Sequence, residues 1–261
     1  MRRKIVGASW KMHVNTLKEG LALAEGIHQK VGNITDVDIF ILPAFPLIQG
    51  VADIFKTGQI GWGAQNMCFE TKGAFTGEVP APMLKELQCQ YIELAHAERK
   101  AFFNETNATV NRKLHICQEY QFTPVICIGE TEADLEAGHA HSALEKQIVQ
   151  MLGGLNKEFL QRCILAYEPV WAIGKSKTAD LNYIRDMHEF IRDIVTEQFG
   201  KEVSDDIRII YGGSVNRNIS DELLSLDNVD GVFIGRFGLD PENFLKITES
   251  ALKNASLEGV E

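Results

Sequence analysis

The sequence contains no apolar run of 18 residues. Behind its basic start, Arg2-Arg3-Lys4, only one short strand-like apolar segment follows. These absences exclude a helix that spans a membrane and a secretory leader, so the expected location is the cytoplasm. Without secretion, a match such as Asn104-Glu105-Thr106 carries no weight as a glycosylation site. There is no Cys-x-x-Cys pair and no Cys/His cluster. The five cysteines, Cys68, Cys89, Cys117, Cys127 and Cys163, are an odd number and read as small buried hydrophobes in a reducing compartment. The remaining histidines, including the His139-x-His141 pair, lack metal-ligand spacing with acidic partners, and no metal is implied. No low-complexity segment, linker or short-period repeat divides the chain, which is read as one domain over residues 1–261. Positive charge is in deficit: the net charge is −10. An acidic chain repels phosphodiester backbones, so nucleic acid is not the expected partner. A small anionic substrate remains compatible, because a local nest of N–H groups and one lysine can outweigh a diffuse distant charge.

What is present is an alternation. Short runs apolar on both faces, as expected of strands buried on both sides, fall at about 4–9, 37–42, 60–64, 91–95, 123–128, 163–167, 208–211 and 231–234. Longer amphipathic stretches lie between them, for example 16–30, 109–120, 140–152, 180–199 and 241–253. Some carry start signals, such as Thr131 with Glu132 and Asp134 in the first turn, and Pro241 one residue after Asp240. At 261 residues, eight strands alternating with helices fit one closed parallel (β/α)₈ barrel. A doubly wound open sheet would want Gly-x-Gly-x-x-Gly after its first strand. That place reads Gly7-Ala8-Ser9-Trp10-Lys11-Met12-His13 instead.

In a parallel barrel the residues just past each strand face the ligand. Past strand 1 stands Lys11; past strand 4, His96 with Glu98-Arg99; past strand 6, Glu168-Pro169-Val170-Trp171; past strand 7, Gly212-Gly213-Ser214; past strand 8, Gly235-Arg236-Phe237-Gly238. None of these is specific alone. On one rim, an ammonium, an imidazole, a carboxylate and two glycine-bearing turns point to proton transfer on a small phosphorylated substrate. A carboxylate can take a proton beside a carbonyl and return it to the neighbouring carbon. A donor and a fixed cation stabilise the oxygen charge that forms meanwhile. Phosphate is held by backbone N–H groups where glycine permits close approach.

Five segments, Gly7-Ala8-Ser9-Trp10-Lys11-Met12, Gly73-Ala74-Phe75-Thr76-Gly77-Glu78, Ala95-His96-Ala97-Glu98-Arg99, Ala166-Tyr167-Glu168-Pro169-Val170-Trp171-Ala172-Ile173-Gly174 and Tyr211-Gly212-Gly213-Ser214-Val215, resemble those of the triosephosphate isomerase family. They stand in that family's order and spacing from about residue 4 to about 253. The resemblance implies a single TIM barrel that interconverts D-glyceraldehyde 3-phosphate and dihydroxyacetone phosphate without a cofactor. It implies Lys11 as electrostatic stabiliser, His96 as neutral electrophile and Glu168 as base. It further implies a closing lid over 169–179, whose flanks are Pro169, Val170 and Trp171 on one side and Lys177, Thr178 and Ala179 on the other. Gly174, Ser214 and Gly235 become substrate phosphate holders. The segment Gly73–Glu78 becomes the loop through which a homodimer forms. Glu98 reads as an ion-pair partner of Lys11 or Arg99, and Cys127 as packing.

Four places depart from the family pattern. Ser9 stands where Asn is usual, Ala97 where Ser is usual, Gly174-Lys175-Ser176 at the lid tip where Gly-Thr-Gly is usual, and Gly235-Arg236-Phe237-Gly238 where Gly-Gly-Ala-Ser is usual. Ser9 removes an amide donor and leaves room beside the substrate. Arg236 reads either as a phosphate ligand or as a solvated side chain. Two alternatives to the triose therefore stay open at this level. One is a tetrulose-phosphate isomerase acting on L-erythrulose 1-phosphate. The other is an inactive barrel that only binds a phosphate ligand.

Overall fold

A computed structural model describes residues 2–172 and 179–257. Eight strands, β1 (Ile5–Ser9), β2 (Asp38–Leu42), β3 (Gly61–Ala64), β4 (Tyr91–Leu94), β5 (Thr123–Ile128), β6 (Ile164–Tyr167), β7 (Arg208–Tyr211) and β8 (Gly231–Ile234), close into a barrel in chain order. Every neighbouring pair is parallel. β1 closes the ring with Ile5 opposite Asp38 on one side and Gly231 on the other. Helices and short helical turns fill the connections, which is the architecture expected from the alternating pattern.

The strands form where both faces are apolar because both faces are buried. One set of side chains, Ile5, Phe40, Leu42, Val125, Cys127, Ile164, Ala166, Ile210 and Phe233, fills the inside of the barrel. The alternate residues, such as Val6, Ala8, Ile39, Ile41, Ile92 and Leu94, face outward against the helices. The interior is plugged by Phe40, whose ring stacks on Tyr91 at 4.5 Å between centroids and lies 5.8 Å from that of Phe233. Gly7 makes this possible, since a Cβ there would sit 2.0 Å from Cζ of Phe40.

Strand ends follow the sequence reading to within a residue, and one of the one-residue differences is instructive. Ala95 leaves the strand because its backbone is left-handed, φ 63°. Helix starts follow their caps. Thr131 and Asp134 close a reciprocal capping box, and Asp180 accepts from the N–H groups of Asn182 and Tyr183 to start the helix Leu181–Phe199. Among the described residues, no helix is long and apolar enough to cross a membrane.

The N-terminal end of the barrel is tied by buried ions. Asp230 accepts from Arg2 Nε at 2.7 Å, Arg192 Nη2 at 2.6 Å and the Ile209 N–H at 2.7 Å. Arg192 Nη1 also donates to the carbonyls of Ser204 and Ile207. Lys4 donates to the carbonyls of Leu224 and Val229, and Arg208 pairs with Asp38.

Candidate active site

At the other end the strands release their ligand-facing residues. Lys11 follows β1 in a left-handed conformation, φ 48°, which costs a non-glycine residue on the order of 1 kcal/mol. The surroundings hold it there: its carbonyl accepts from Gln65 Nε2 at 3.0 Å, and its ammonium pairs with Glu98 Oε1 at 2.7 Å. Burial works against its charge, but the Glu98 hydrogen bond and the charges of Glu168 and Glu98 outweigh burial and raise the Lys11 pKa. Glu98 is thus the Lys11 partner, and Arg99 pairs with Glu105 instead. Glu105 also accepts from the Ala95 N–H at 3.1 Å and pairs with buried Lys113. That anchor fixes the strained turn immediately before His96.

His96 is the N-cap of the short helix Ala97–Phe103. Its Nδ1 accepts the Glu98 N–H at 3.1 Å. An acceptor at Nδ1 leaves the neutral ring its proton at Nε2, on the side of Glu168. Burial, helped by the Lys11 charge, lowers its pKa to about 4, so the ring is neutral at physiological pH.

Glu168 follows β6 and is 5 % exposed. Its Oε2 lies 3.4 Å from His96 Nε2 and has no hydrogen-bond partner among the described residues. Burial raises its pKa to about 8. Lys11 opposes that rise, while Glu93 and Glu98 add to it. The carboxylate is held in place by close backbone. A Cβ on Gly212 would stand 2.4 Å from Glu168 Cγ, so only glycine fits there without moving the side chain. Lys11, His96 and Glu168 meet with Ser9, Gly212, Gly213, Ser214, Gly235 and Arg236 around one cavity of about 410 Å³. A larger cavity of about 720 Å³ lies behind Glu168, between the turns after β4 and β5, but only Glu168 of the three faces it. The chemistry therefore belongs to the smaller one. Among the described residues, apart from its chain neighbours, no atom comes within 4 Å of where a Cβ on Gly235 would be. Arg236 is exposed at the mouth of the same cavity.

The described flanks of the segment 169–179 are pinned to the rim. Val170 donates its N–H to the Glu130 carbonyl at 3.0 Å within a single helical turn that starts just after Pro169. Trp171 Nε1 donates to Glu130 Oε1 at 2.7 Å. The Tyr183 hydroxyl donates to the same oxygen at 2.9 Å, and that of Tyr167 reaches both carboxylate oxygens at 3.1–3.2 Å. Ser214 Oγ donates to the Ala172 carbonyl at 3.3 Å, and the Ala179 N–H to the Tyr211 hydroxyl at 3.4 Å. Gly174, Lys177 and Thr178 lie outside the described residues.

Two buried acids escaped the reading of the sequence. Glu130, fully buried, clamps the start of that segment. Glu93, 2 % exposed, lies beneath the site and accepts from the Ser9 hydroxyl at 2.8 Å. The available signal was a lone acid within the apolar run 91–95, two residues from Tyr91 and so on the same face.

Comparison with known proteins agrees with the geometry. The family model described as triosephosphate isomerase matches residues 4–251. A triosephosphate isomerase of Herpetosiphon aurantiacus is 38% identical over 247 residues, covering 95% of this chain and 98% of the relative. One of Dictyoglomus thermophilum is 38% identical over 256 residues, covering 96% and 100%. A probable triosephosphate isomerase 2 of Listeria monocytogenes is 36% identical over 253 residues, covering 97% and 99%. With the motifs in order, the barrel closed and the match running almost end to end, this chain belongs to the triosephosphate isomerase family.

Proposed function

We propose that this chain interconverts D-glyceraldehyde 3-phosphate and dihydroxyacetone phosphate through an enediolate. The observation that carries the reading is Glu168 Oε2, buried, unpartnered and 3.4 Å from His96 Nε2. A carboxylate in that position is available to a carbon acid, and a neutral imidazole beside it can donate to the oxygen of the same substrate. Glu168 takes the proton from the carbon next to the carbonyl, and the electron pair moves onto the carbonyl oxygen. His96 Nε2–H and the Lys11 ammonium stabilise that oxygen. His96 Nε2 passes its proton to that oxygen and takes the proton of the neighbouring hydroxyl, and Glu168 returns its own proton to the adjacent carbon as the new carbonyl forms. A carboxyl held at about 8 suits both halves, because it is neither too weak a base nor too weak an acid near neutral pH. The phosphate is assigned to backbone N–H groups around Gly213 and Gly235, with Ser214, Gly174 and Arg236 as further holders. Residues 169–179 are assigned as the lid, with Pro169–Trp171 and Lys177–Ala179 as its flanks.

The chain is read as one domain that works in the cytoplasm as a homodimer. Met12, next to Lys11, and Phe102 and Phe103, at the end of the short helix that His96 caps, are exposed by 85 %, 75 % and 66 %, and Phe75 is exposed by 39 % at the tip of Gly73–Glu78. Solvent-facing apolar side chains of that size suit burial against a second copy. Fully active monomers in sedimentation at assay concentration would overturn the dimer. The function is tested by assaying both triose phosphates, and by Glu168→Asp. Retracting the carboxylate by about 1 Å should cost on the order of 10²-fold in kcat with the fold intact. Unchanged turnover would remove Glu168 from the role of base.

A further inference from the structure

Glu93 is a carboxyl inside the barrel with no obvious structural use. Tyr91, two residues earlier on β4, packs against the inner side-chain set, while Ile92 and Leu94 belong to the outer one. Glu93 therefore points inward, among residues that are otherwise apolar. Among the described residues it has no ion-pair partner, and its one hydrogen bond comes from Ser9 Oγ at 2.8 Å. Burial pushes its pKa to about 7; the Ser9 hydrogen bond and the Lys11 charge offset only part of that effect. An apolar side chain in this place would suit folding better than a carboxyl with one partner. What Glu93 does instead is act on Ser9.

Ser9 has one O–H, and the structure commits it to Glu93. Ser9 also lines the cavity that holds Lys11, His96 and Glu168. A serine whose proton is engaged behind it presents only lone pairs in front. A freely rotating serine would offer either role. We propose that Glu93 is a positioning residue that locks Ser9 as a hydrogen-bond acceptor toward the cavity, so that the site selects phosphorylated ligands carrying a hydroxyl at that point over those with no donor there. This rests on the reading of the cavity as a sugar-phosphate site. The selection follows from chemistry: an acceptor gains from an incoming hydroxyl and is left unpaired by a methyl or methylene.

The test is a binding cycle that does not depend on turnover. Titration calorimetry compares glycerol 3-phosphate with n-propyl phosphate, which has the same chain length and phosphate but no hydroxyl. The wild-type protein should prefer glycerol 3-phosphate by more than tenfold, of which about tenfold, the size of one well-placed hydrogen bond, is the Ser9 share. Ser9→Ala and Glu93→Leu should each cut that preference about tenfold, and the double variant should go no further than either alone. Glu93→Gln keeps an acceptor for the Ser9 proton and should restore most of the preference. Thermal unfolding of Glu93→Leu should occur at or above the wild-type temperature, which separates lost positioning from lost fold. The proposal fails if Glu93→Leu leaves the preference intact, or if its effect is equally large when Ser9 is already alanine. Wild-type protein that shows the preference but no triose phosphate turnover would refute the isomerase reading and leave the Glu93 assignment standing. Active wild-type protein without the preference would do the reverse, and failure of either phosphate to bind would overturn both.

Discussion

At the N-terminal end of the barrel, Asp230 accepts three hydrogen bonds, two of them from arginines, and Lys4 donates to two carbonyls. At the C-terminal end, among the described residues, Glu93 has a single hydrogen bond from a neutral hydroxyl, and Glu168 Oε2 has none. All of these groups are nearly removed from water. A buried charge surrounded by partners holds the fold in one arrangement. A buried charge left short of partners is held in readiness for a ligand, at a cost in stability.

The contrast would break most visibly at the well-paired end. Asp230→Ala leaves Arg192 and Arg2 without their carboxylate, and removing one partner of a buried pair costs about 3 kcal/mol or more. Denaturant unfolding should show that loss, while kcat per folded molecule stays near wild type. A large fall in kcat at unchanged stability would mean that the two ends do not divide the work. At the under-paired end the expected effects reverse. Gly212→Ala puts a methyl where Glu168 Cγ now lies, 2.4 Å from the new Cβ. Displacing the carboxylate by about 1 Å should lower kcat on the order of 10²-fold, with little change in unfolding midpoint. Retention of full activity would show that the carboxylate position is not critical.

A smaller effect sharpens the picture of charge at the rim. Glu93 raises the pKa of Glu168, after burial itself has done so. Glu93→Gln removes that like charge. The ionised form of Glu168 becomes easier to reach, so its pKa falls from about 8. The acid limb of kcat/KM should therefore move to lower pH. Stability should respond as well. Glu93 has a folded pKa of about 7 against an ordinary 4.5. A carboxyl raised on folding destabilises increasingly as pH climbs from the lower value through the higher one. The unfolding temperature of Glu93→Gln should thus exceed wild type by more at pH 8 than at pH 4. The same gap at both pH values would mean that Glu93 does not titrate in this range.

Much of the barrel could be read beforehand because its strands are buried on both faces and its helices carry local caps. The run 123–128 has the same limits in the sequence pattern and in β5, and Thr131 and Asp134 make the capping box their spacing announces. Lys11, His96 and Glu168 were legible as strand-end polar residues, and the structure brings them to one cavity. Glu93 was not, since an acid in an apolar run reads as a surface residue until the closure of the barrel sets which face is inside; Glu130, two residues past β5, was not, since its partners Val170 and Trp171 come beside it only in the closed barrel. The left-handed Ala95 was also hidden. Alanine carries no signal for that conformation, and what imposes it is the distant Glu105–Lys113 pair.

The Glu130 clamp also has an optical consequence. Of the chain's three tryptophans, Trp10 and Trp62 are buried in the barrel wall, and Trp62 donates its indole N–H to the Leu87 carbonyl. Trp171 instead donates to a carboxylate and stands edge-on to Tyr183, 5.7 Å between ring centroids. A negative charge beside the indole nitrogen tunes the colour of its emission, and a phenol that close passes its excitation to the indole. Trp171 is thus a native spectroscopic reporter of the segment it begins. Any change in the contacts of Trp171 with Glu130 and Tyr183 alters both the emission wavelength and the tyrosine-sensitised brightness, without an added dye.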